Sequence, residues 1–399
     1  MKKLMIIGSN WEKIPLIKSA KNLNLNILLT DENNDAEGFK YADKIETVNP
    51  RNLNKLYTIA KKFRPNGIVA DQCDYSHFAA VYLSNKLGLY KDGLSAAQLT
   101  TNKLWMREAC RNEQVLQPRF FSVKNLKEAK VAINLINFPI VIKPVDNRGS
   151  FGVNIVHKLS QLEKCFFDSL ANSHSRQLIV ESYIEGKHIT VDGACDQDGN
   201  HYNLAIASKK NMKGSKPIIT DVVYPAQIHE DLKKQIFKIN SNVVYSLGIK
   251  KGLTHSEYIV DIKNRCFLVE MANRGGGVLT SSLIIKNLKN IDLSKLIIKN
   301  ALGENFDFKY TNKKISVILK FFNFKPGKIN KISGVNEINK LKNIVFIKLL
   351  IKEGDVLKKP KSGAERHGFI IIKYKTRKEL KVIEDKTKKL LRISYDKKK

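Results

Sequence analysis

The stretch CFLVEMANRGGG, Cys266 to Gly277, decides how this chain reads. An apolar run ends in a carboxylate, an amide and a guanidinium, and three residues without side chains follow. A carboxylate closing an apolar strand is costly to desolvate alone, so Glu270 implies a cation beside it. Upstream, HSEYIVDI and a DIKN turn complete a hairpin that sets Glu257 opposite Leu268, with Glu257 and Glu270 on one face. Diagonal neighbours on such a face lie about 7–8 Å apart, near enough for two long carboxylates to meet one ion. Oxygen ligands with room left for water and phosphate suit Mg²⁺ better than zinc. Arg274, two alternations further on, is expected on that face, where its fork suits a carboxylate or phosphate. Asn273 falls on the opposite face. Gly275 to Gly277 would let backbone approach a ligand, or simply make a turn.

Two other stretches carry chemistry. FPIVIKPV and FGVNIVHK read as a hairpin whose tip, DNRGS, leads into Gly149, Ser150, Phe151 and Gly152. Such a tip offers open N–H groups to phosphate oxygens, and Lys143 before it holds an ammonium in a fixed place. By itself it is also an ordinary turn. In VESYIEGKH a buried strand runs into Glu181 and a connecting segment, which could present backbone to a base and a carboxylate to a sugar.

The whole chain has 399 residues, enough for two or three domains, and 43% are hydrophobic, which indicates a globular protein. Its formal charge of +32 would ordinarily suggest nucleic acid or an anionic membrane face. Lysine, asparagine and isoleucine are abundant from end to end, however, so a solvated lysine coat accounts for the charge and a nucleic-acid partner is disfavoured. The tail LRISYDKKK reads as a frayed end. Cys73, Cys110, Cys165, Cys195 and Cys266 stand far apart without a CxxC, against a zinc site or disulfides and in keeping with a reducing cytoplasm. No apolar run is long enough to span a membrane, and MKKLMIIGSN reads as a first strand rather than a signal peptide.

Residues 1–100 alternate apolar runs (LMIIG, NILLTDEN, GIVAD) with helical patterns, which implies a parallel sheet covered on both faces. Asp31 and Asp71 end two of these runs, where open sheets place their ligands. GSNWEK has one glycine where a pyrophosphate cradle needs three, so the half is Rossmann-like without a dinucleotide. Lys103 falls in the first turn of a helix. From about Thr311, ISVILKFF, IVFIKLLI and GFIIIKYK form another β-containing portion closed by a Lys-rich helix.

In this order, the pieces resemble the ATP-grasp superfamily, in its carboxylate–amine ligase branch near carbamoyl phosphate synthetase and biotin carboxylase. The expected fold is α/β, with a Rossmann-like domain (1–100), a two-lobed ATP-grasp domain (101–310, closing lobe about 118–186) and a C-terminal portion (311–399). The resemblance implies an ADP-forming enzyme that makes an acyl phosphate from a carboxylate and joins it to an amine, using ATP and Mg²⁺ or Mn²⁺. Its partners would be small molecules, and such proteins commonly form homodimers. Lys103 and Lys143 match the lysines on the nucleotide phosphates, and Gly149, Ser150, Phe151 and Gly152 the closing loop. Glu181, Tyr183 and Ile184 match the hinge that grips adenine. Glu257 and Glu270 match the magnesium pair, and Arg274 the arginine that steadies the acyl phosphate. Arg366 is expected to hold the acceptor or the acyl group. Two departures stand out. His188 replaces a glutamate that usually contacts ribose, and Ala272 stands where Glu-x-Asn-x-Arg has its asparagine. The alternatives are a bicarbonate-using carboxylase of the purine-pathway type, a non-catalytic nucleotide-binding module and a nucleic-acid binder. Bicarbonate-stimulated hydrolysis, binding without turnover and steep salt dependence would mark each in turn.

Overall fold

The structure, a computed structural model, describes residues 1–89, 93–111, 115–147, 149–211, 218–360 and 363–396. Strands β1 (Lys3–Ile7), β2 (Asn26–Asp31), β3 (Lys44–Thr47) and β4 (Gly67–Val69) pair in the parallel order β3-β2-β1-β4. Helices α1 (Ile14–Asn22) and α2 (Leu53–Phe63) connect them, and α3 (Asp74–Lys86) follows β4. Because helices cover the faces, β1 is buried from Leu4 to Ile7 instead of alternating. Helix α2 turns Leu56, Ala60 and Phe63 inward, one turn apart, onto Met5, Leu28 and Ile68. Helices α4 (Leu94–Thr101) and α5 (Lys103–Ala109) are separated at Asn102, whose side chain accepts from the N–H groups of Leu104 and Trp105 and so caps α5.

Next come β5 (Phe120–Val123), α6 (Leu126–Ile136), β6 (Ile140–Pro144), β7 (Asn154–Val156), α7 (Leu162–Ala171) and β8 (Leu178–Ser182). These strands form an antiparallel sheet, β5-β8-β6-β7, whose apolar face packs on Ile133 of α6 and Phe166 of α7. The expected hairpin is β6–β7, with Ile140 opposite Val156 and Ile142 opposite Asn154.

The chain continues through β9 (Lys187–Cys195), β10 (His201–Asn211), β11 (Ile219–Tyr224), α8 (Glu230–Ser246), β12 (Leu253–Val260) and β13 (Cys266–Ala272). Then follow α9 (Lys286–Lys289), α10 (Leu293–Ala301), β14 (Ser316–Phe321), β15 (Gly327–Ser333), α11 (Val335–Asn339) and β16 (Ile344–Leu349). The last elements are β17 (Val356–Leu357), β18 (Gly368–Tyr374), α12 (Arg377–Leu390) and β19 (Arg392–Tyr395). The end that reads as frayed is tied down: Arg392 pairs with Ser333 and Tyr395 with Ile329, closing the small sheet β17-β15-β19. Lys397 to Lys399 lie outside the described residues.

The chain forms two compact units that interleave in sequence. The first comprises Met1–Gln117, Thr190–Ala205 and Ile228–Thr311, and the second Pro118–Ile189, Ile206–Gln227 and everything from Asn312 onward. All five cysteines are free. Among the described residues no helix is long and apolar enough to cross a membrane.

Candidate active site

In the first unit the site is built on the β12–β13 hairpin. Its turn is one residue longer than the expected DIKN turn: Val260 pairs with Cys266, and Asp261 accepts from the N–H groups of Lys263 and Arg265 around Asn264 at φ 58°. A three-residue loop with a left-handed last residue is a common hairpin closure, and asparagine tolerates that conformation. Farther on, Tyr258 faces Leu268 but Glu257 faces Glu270, so Val269 is the extra residue of a bulge. The expected pairing of Glu257 with Leu268 is therefore corrected, and the two glutamates are direct rather than diagonal neighbours.

Helix α5 holds this register. Arg107 is fully buried, and its guanidinium donates to the carbonyls of Leu268 and Val269, both at 2.9 Å, on either side of the bulge. Met106 Sδ accepts from the Met271 N–H, and one turn before Arg107 the Lys103 ammonium lies 3.0 Å from Glu270 Oε1. The carboxyl groups of Glu257 and Glu270 remain about one-third exposed.

Arg274 follows the strand and donates through Nε and Nη2 to the two oxygens of Asp74, at 2.9 and 3.2 Å, and through Nη1 to Gly275 O. Burial alone would lower its pKa, but Asp74 and, more weakly, Glu270 raise it, so it stays a cation. Asn273 Nδ2 donates to the carbonyls of Lys251 and Leu253, so its amide secures backbone.

The glycines are needed for protein as much as for ligand. A Cβ on Gly275 would lie 2.4 Å from Ser281 Oγ, and one on Gly276 2.8 Å from His255 Nδ1 and 2.9 Å from Asp192 Oδ1. Gly277 has open space, with Glu12 Oε1 nearest at 4.0 Å. Residues from the β1 and β4 ends hold this loop: Asp71 accepts from Gly275 N–H and Ser281 Oγ, Glu12 from Val278 N–H at 2.8 Å, and Gln72 from Leu279 N–H at 3.3 Å. Val278 and Leu279 stand at φ 54° and 61°, left-handed values unusual for such side chains. Among the described residues the N–H groups of Gly276 and Gly277 donate to no protein acceptor. Asp31, like Asp71, ties backbone, accepting from Ser9 and Asn33. Beside the hairpin, His255 Nδ1 is 2.7 Å from Asp192 Oδ1, and His255 Nε2 3.6 Å from Glu257 Oε1.

In the second unit Lys143 and Glu181 form a buried ion pair at 2.7 Å from adjacent strands. Each neutralises the other, because one alone at that depth would be uncompensated. Past β8, Tyr183 N–H donates to Pro139 O, and the Tyr183 side chain is exposed while Ile184 is half-buried. At the β6–β7 tip Gly149, Ser150 and Gly152 all have positive φ, and Phe151 is 41% exposed. Arg148 lies outside the described residues. His188 is half-buried at the start of β9. Arg366 stacks over the Phe321 ring at 3.7 Å.

Among the described residues no three His, Cys, Asp or Glu side chains converge as a metal site. The Glu257–Glu270 pair supplies only carboxylate oxygens and remains open to solvent, a donor set that fits a hard divalent cation whose other ligands are water and phosphate. Lys103, Glu257, Glu270 and Arg274 belong to the first unit, and Lys143, the 149–152 loop, Glu181, Tyr183, Ile184, His188 and Arg366 to the second. Reading the sequence missed Arg107, Glu12, Gln72, His255 and Asp192. Arg107 was visible only as the i+4 companion of Lys103, and the others had no local signal.

Residues 136–282 match the ATP-grasp domain family, and residues 320–396 match the family described as L-amino acid ligase C-terminal domain 2. A formate-dependent phosphoribosylglycinamide formyltransferase of Wolinella succinogenes is 27% identical over 307 residues, covering 73% of this chain and 74% of that protein. An L-arginine-specific L-amino acid ligase of Bacillus subtilis is 23% identical over 311 residues, covering 76% and 74%. The crystal structure of an L-amino acid ligase from Bacillus licheniformis shares the fold, with a TM-score of 0.85 at 20% identity, over 100% of this chain and 99% of that one. Residues 136–282 thus belong to the ATP-grasp domain family, and the relatives of the chain are carboxylate–amine ATP-grasp ligases, which form C–N bonds with release of ADP.

Proposed function

We propose that the acid is an α-amino acid and that Lys103, Lys143, Glu257, Glu270 and Arg274 carry the reaction with Mg-ATP. The observation that carries this reading is the bulged hairpin, which brings Glu257 directly opposite Glu270 with Lys103 on one side, followed by Arg274 and two unengaged N–H groups. The match of residues 320–396 to an amino acid ligase domain supports the choice of acid. A bound Mg²⁺, held by Glu257 and Glu270, would neutralise phosphate charge. The carboxylate of the amino acid attacks the γ-phosphate, the acyl phosphate forms with loss of ADP, and an amine displaces phosphate. The protein supplies positioning and charge rather than a nucleophile. Lys103 and Lys143 steady the phosphates. Gly149, Ser150, Phe151 and Gly152 cover them, and Glu181, Tyr183 and Ile184 grip the base, with His188 offering the ribose an imidazole in place of the usual carboxylate. Arg274 and the N–H groups of Gly276 and Gly277 face charge developing on the acyl oxygen. Arg366, held over the Phe321 ring, binds a substrate carboxylate.

The test is phosphate release from Mg-ATP with pooled amino acids. Amino acids should stimulate it, and Glu270→Ala or Arg274→Ala should abolish it while the melting curve remains cooperative. Release driven by bicarbonate or formate but by no amino acid would move the protein to another reaction of the same class.

A further inference from the structure

Within the first unit, the parallel sheet runs β3-β2-β1-β4, so the chain leaves β1 towards one edge and returns to its other side at β4. Open parallel sheets bind ligands in the crevice that such a reversal leaves at the carboxyl ends of the two strands. GSNWEK follows β1 and supplies Lys13, and α3 follows β4 and supplies Ser76. The two side chains flank Gly8. The point that a Cβ on Gly8 would take lies 3.4 Å from Lys13 Cε and 3.7 Å from Ser76 Oγ.

Lys13 is only 2% exposed. Of the other lysines buried among the described residues, Lys103 faces Glu270 and Lys143 faces Glu181. The Lys13 ammonium makes no hydrogen bond or ion pair among the described residues, nor does the hydroxyl or the N–H of Ser76, which sits in the first turn of α3. Neither Lys13 Nζ nor Ser76 Oγ is sealed from solvent. The carboxylates carried by the same segments are committed elsewhere: Glu12 to Val278 N–H, Asp31 to the N–H groups of Ser9 and Asn33, and Asp74 to Arg274. An ammonium taken out of water without a counter-ion is costly, and here it stands beside the N-terminal turn of a 13-residue helix, whose N–H groups also favour negative charge.

We infer that Lys13 and Ser76 form an anion subsite for a carboxylate that the amine substrate carries in addition to its amino group. One cation matches the single charge of a carboxylate, whereas a phosphate monoester brings more. Glu12 beside Lys13 holds Val278 N–H, and Asp74 on the same helical turn as Ser76 holds Arg274, so the subsite adjoins the acyl end of the reaction site. An amine anchored there by its carboxylate meets the acyl phosphate from a fixed side, which makes Lys13 a specificity-determining residue. The inference rests on the ligase reading above, since it concerns the second substrate of that reaction.

The subsite is tested without turnover by NMR titration of ¹³C-labelled acetate into the full-length protein with Mg-ADP bound, with acetamide as the uncharged control. Acetate should bind and acetamide should not. Lys13→Met should weaken acetate at least about tenfold, and Ser76→Ala by less. Lys13→Met should melt no lower than the parent, because it removes an uncompensated buried charge. With turnover, glycine and glycinamide at equal concentration compete as the amine, and the ratio of the two products is read by mass. The parent should favour glycine, and Lys13→Met should lower that preference at least about tenfold. Absent acetate binding, acetate binding unchanged in Lys13→Met, equal binding of acetamide, or an unchanged product ratio would overturn the inference. Lys13-dependent acetate binding in a protein that ligates neither amine would support the subsite and count against the ligase reading alone.

Discussion

At the scale of single residues, the loop from Arg274 to Leu279 is a strained segment held by side chains distant in sequence. Left-handed backbone costs roughly 1–2 kcal/mol at each of Val278 and Leu279. A hydrogen bond to a charged acceptor contributes about 1.5–3 kcal/mol, so the Glu12 carboxylate on Val278 N–H offsets most of one residue's strain. Glu12→Ala should let the loop relax and lower kcat about tenfold or more, while ADP affinity changes less than about twofold, since Glu12 supports the acyl end of the site. Glu12→Gln, which keeps an acceptor oxygen, should lie between. An equal loss in nucleotide affinity would refute this division of labour. Glu12 gave no sign of its role in the sequence because its partner lies 266 residues away. Glu270 and Arg274 stood out as candidates because the end of an apolar strand is an expensive place for charge.

At the scale of elements, strands and helices were readable where composition is locally decisive. LMIIG and GIVAD announced buried parallel strands, and DNRGS a hairpin tip. The β12–β13 register was not, because a bulge and a left-handed Asn264 each shift alternation by a residue without changing which residues are apolar. Strands β15 and β19 were hidden by their polar residues, as GKINKIS and RISY offer few large apolar groups. Arg107 is the element-scale device that holds the bulge. Arg107→Met should raise the Mg²⁺ or Mn²⁺ concentration for half-saturation about tenfold and weaken Mn²⁺ binding measured by electron paramagnetic resonance with ADP, because Glu270 loses its fixed partner across the strand. Unchanged Mn²⁺ binding in a folded variant would show that the bulge stands without it.

Strand β10 carries a second element-scale consequence. His201 Nε2 lies 2.8 Å from Thr254 Oγ1, and burial lowers its pKa to about 4. His77 shifts in the same direction. Each folded-state value is below the unfolded one near 6.5, so the unfolded chain takes up protons first as pH falls. Stability is thus full above pH 6.5 and declines towards pH 4, by up to about 1.4 kcal/mol per pH unit for each histidine. His201→Gln should flatten the fall of melting temperature across that window. An unchanged slope would assign the acid sensitivity elsewhere.

For the molecule as a whole, the sequence carried the class of fold and reaction because order is informative where single motifs are not. A Rossmann-like half, a glycine tip, a strand running into Glu181 and a two-glutamate hairpin follow one another in the order that the resemblance rests on. The interleaving of the two units was less legible, since it depends on strands β9 and β10, each of which contributes residues to both units without a break in composition. The account rests on an amino acid carboxylate attacking the γ-phosphate. The most direct measurement is turnover of an amino acid labelled with ¹⁸O in its carboxylate, with mass analysis of the phosphate released alongside ADP. The account predicts one labelled oxygen in each phosphate formed. Unlabelled phosphate, or release of pyrophosphate and AMP, would contradict it.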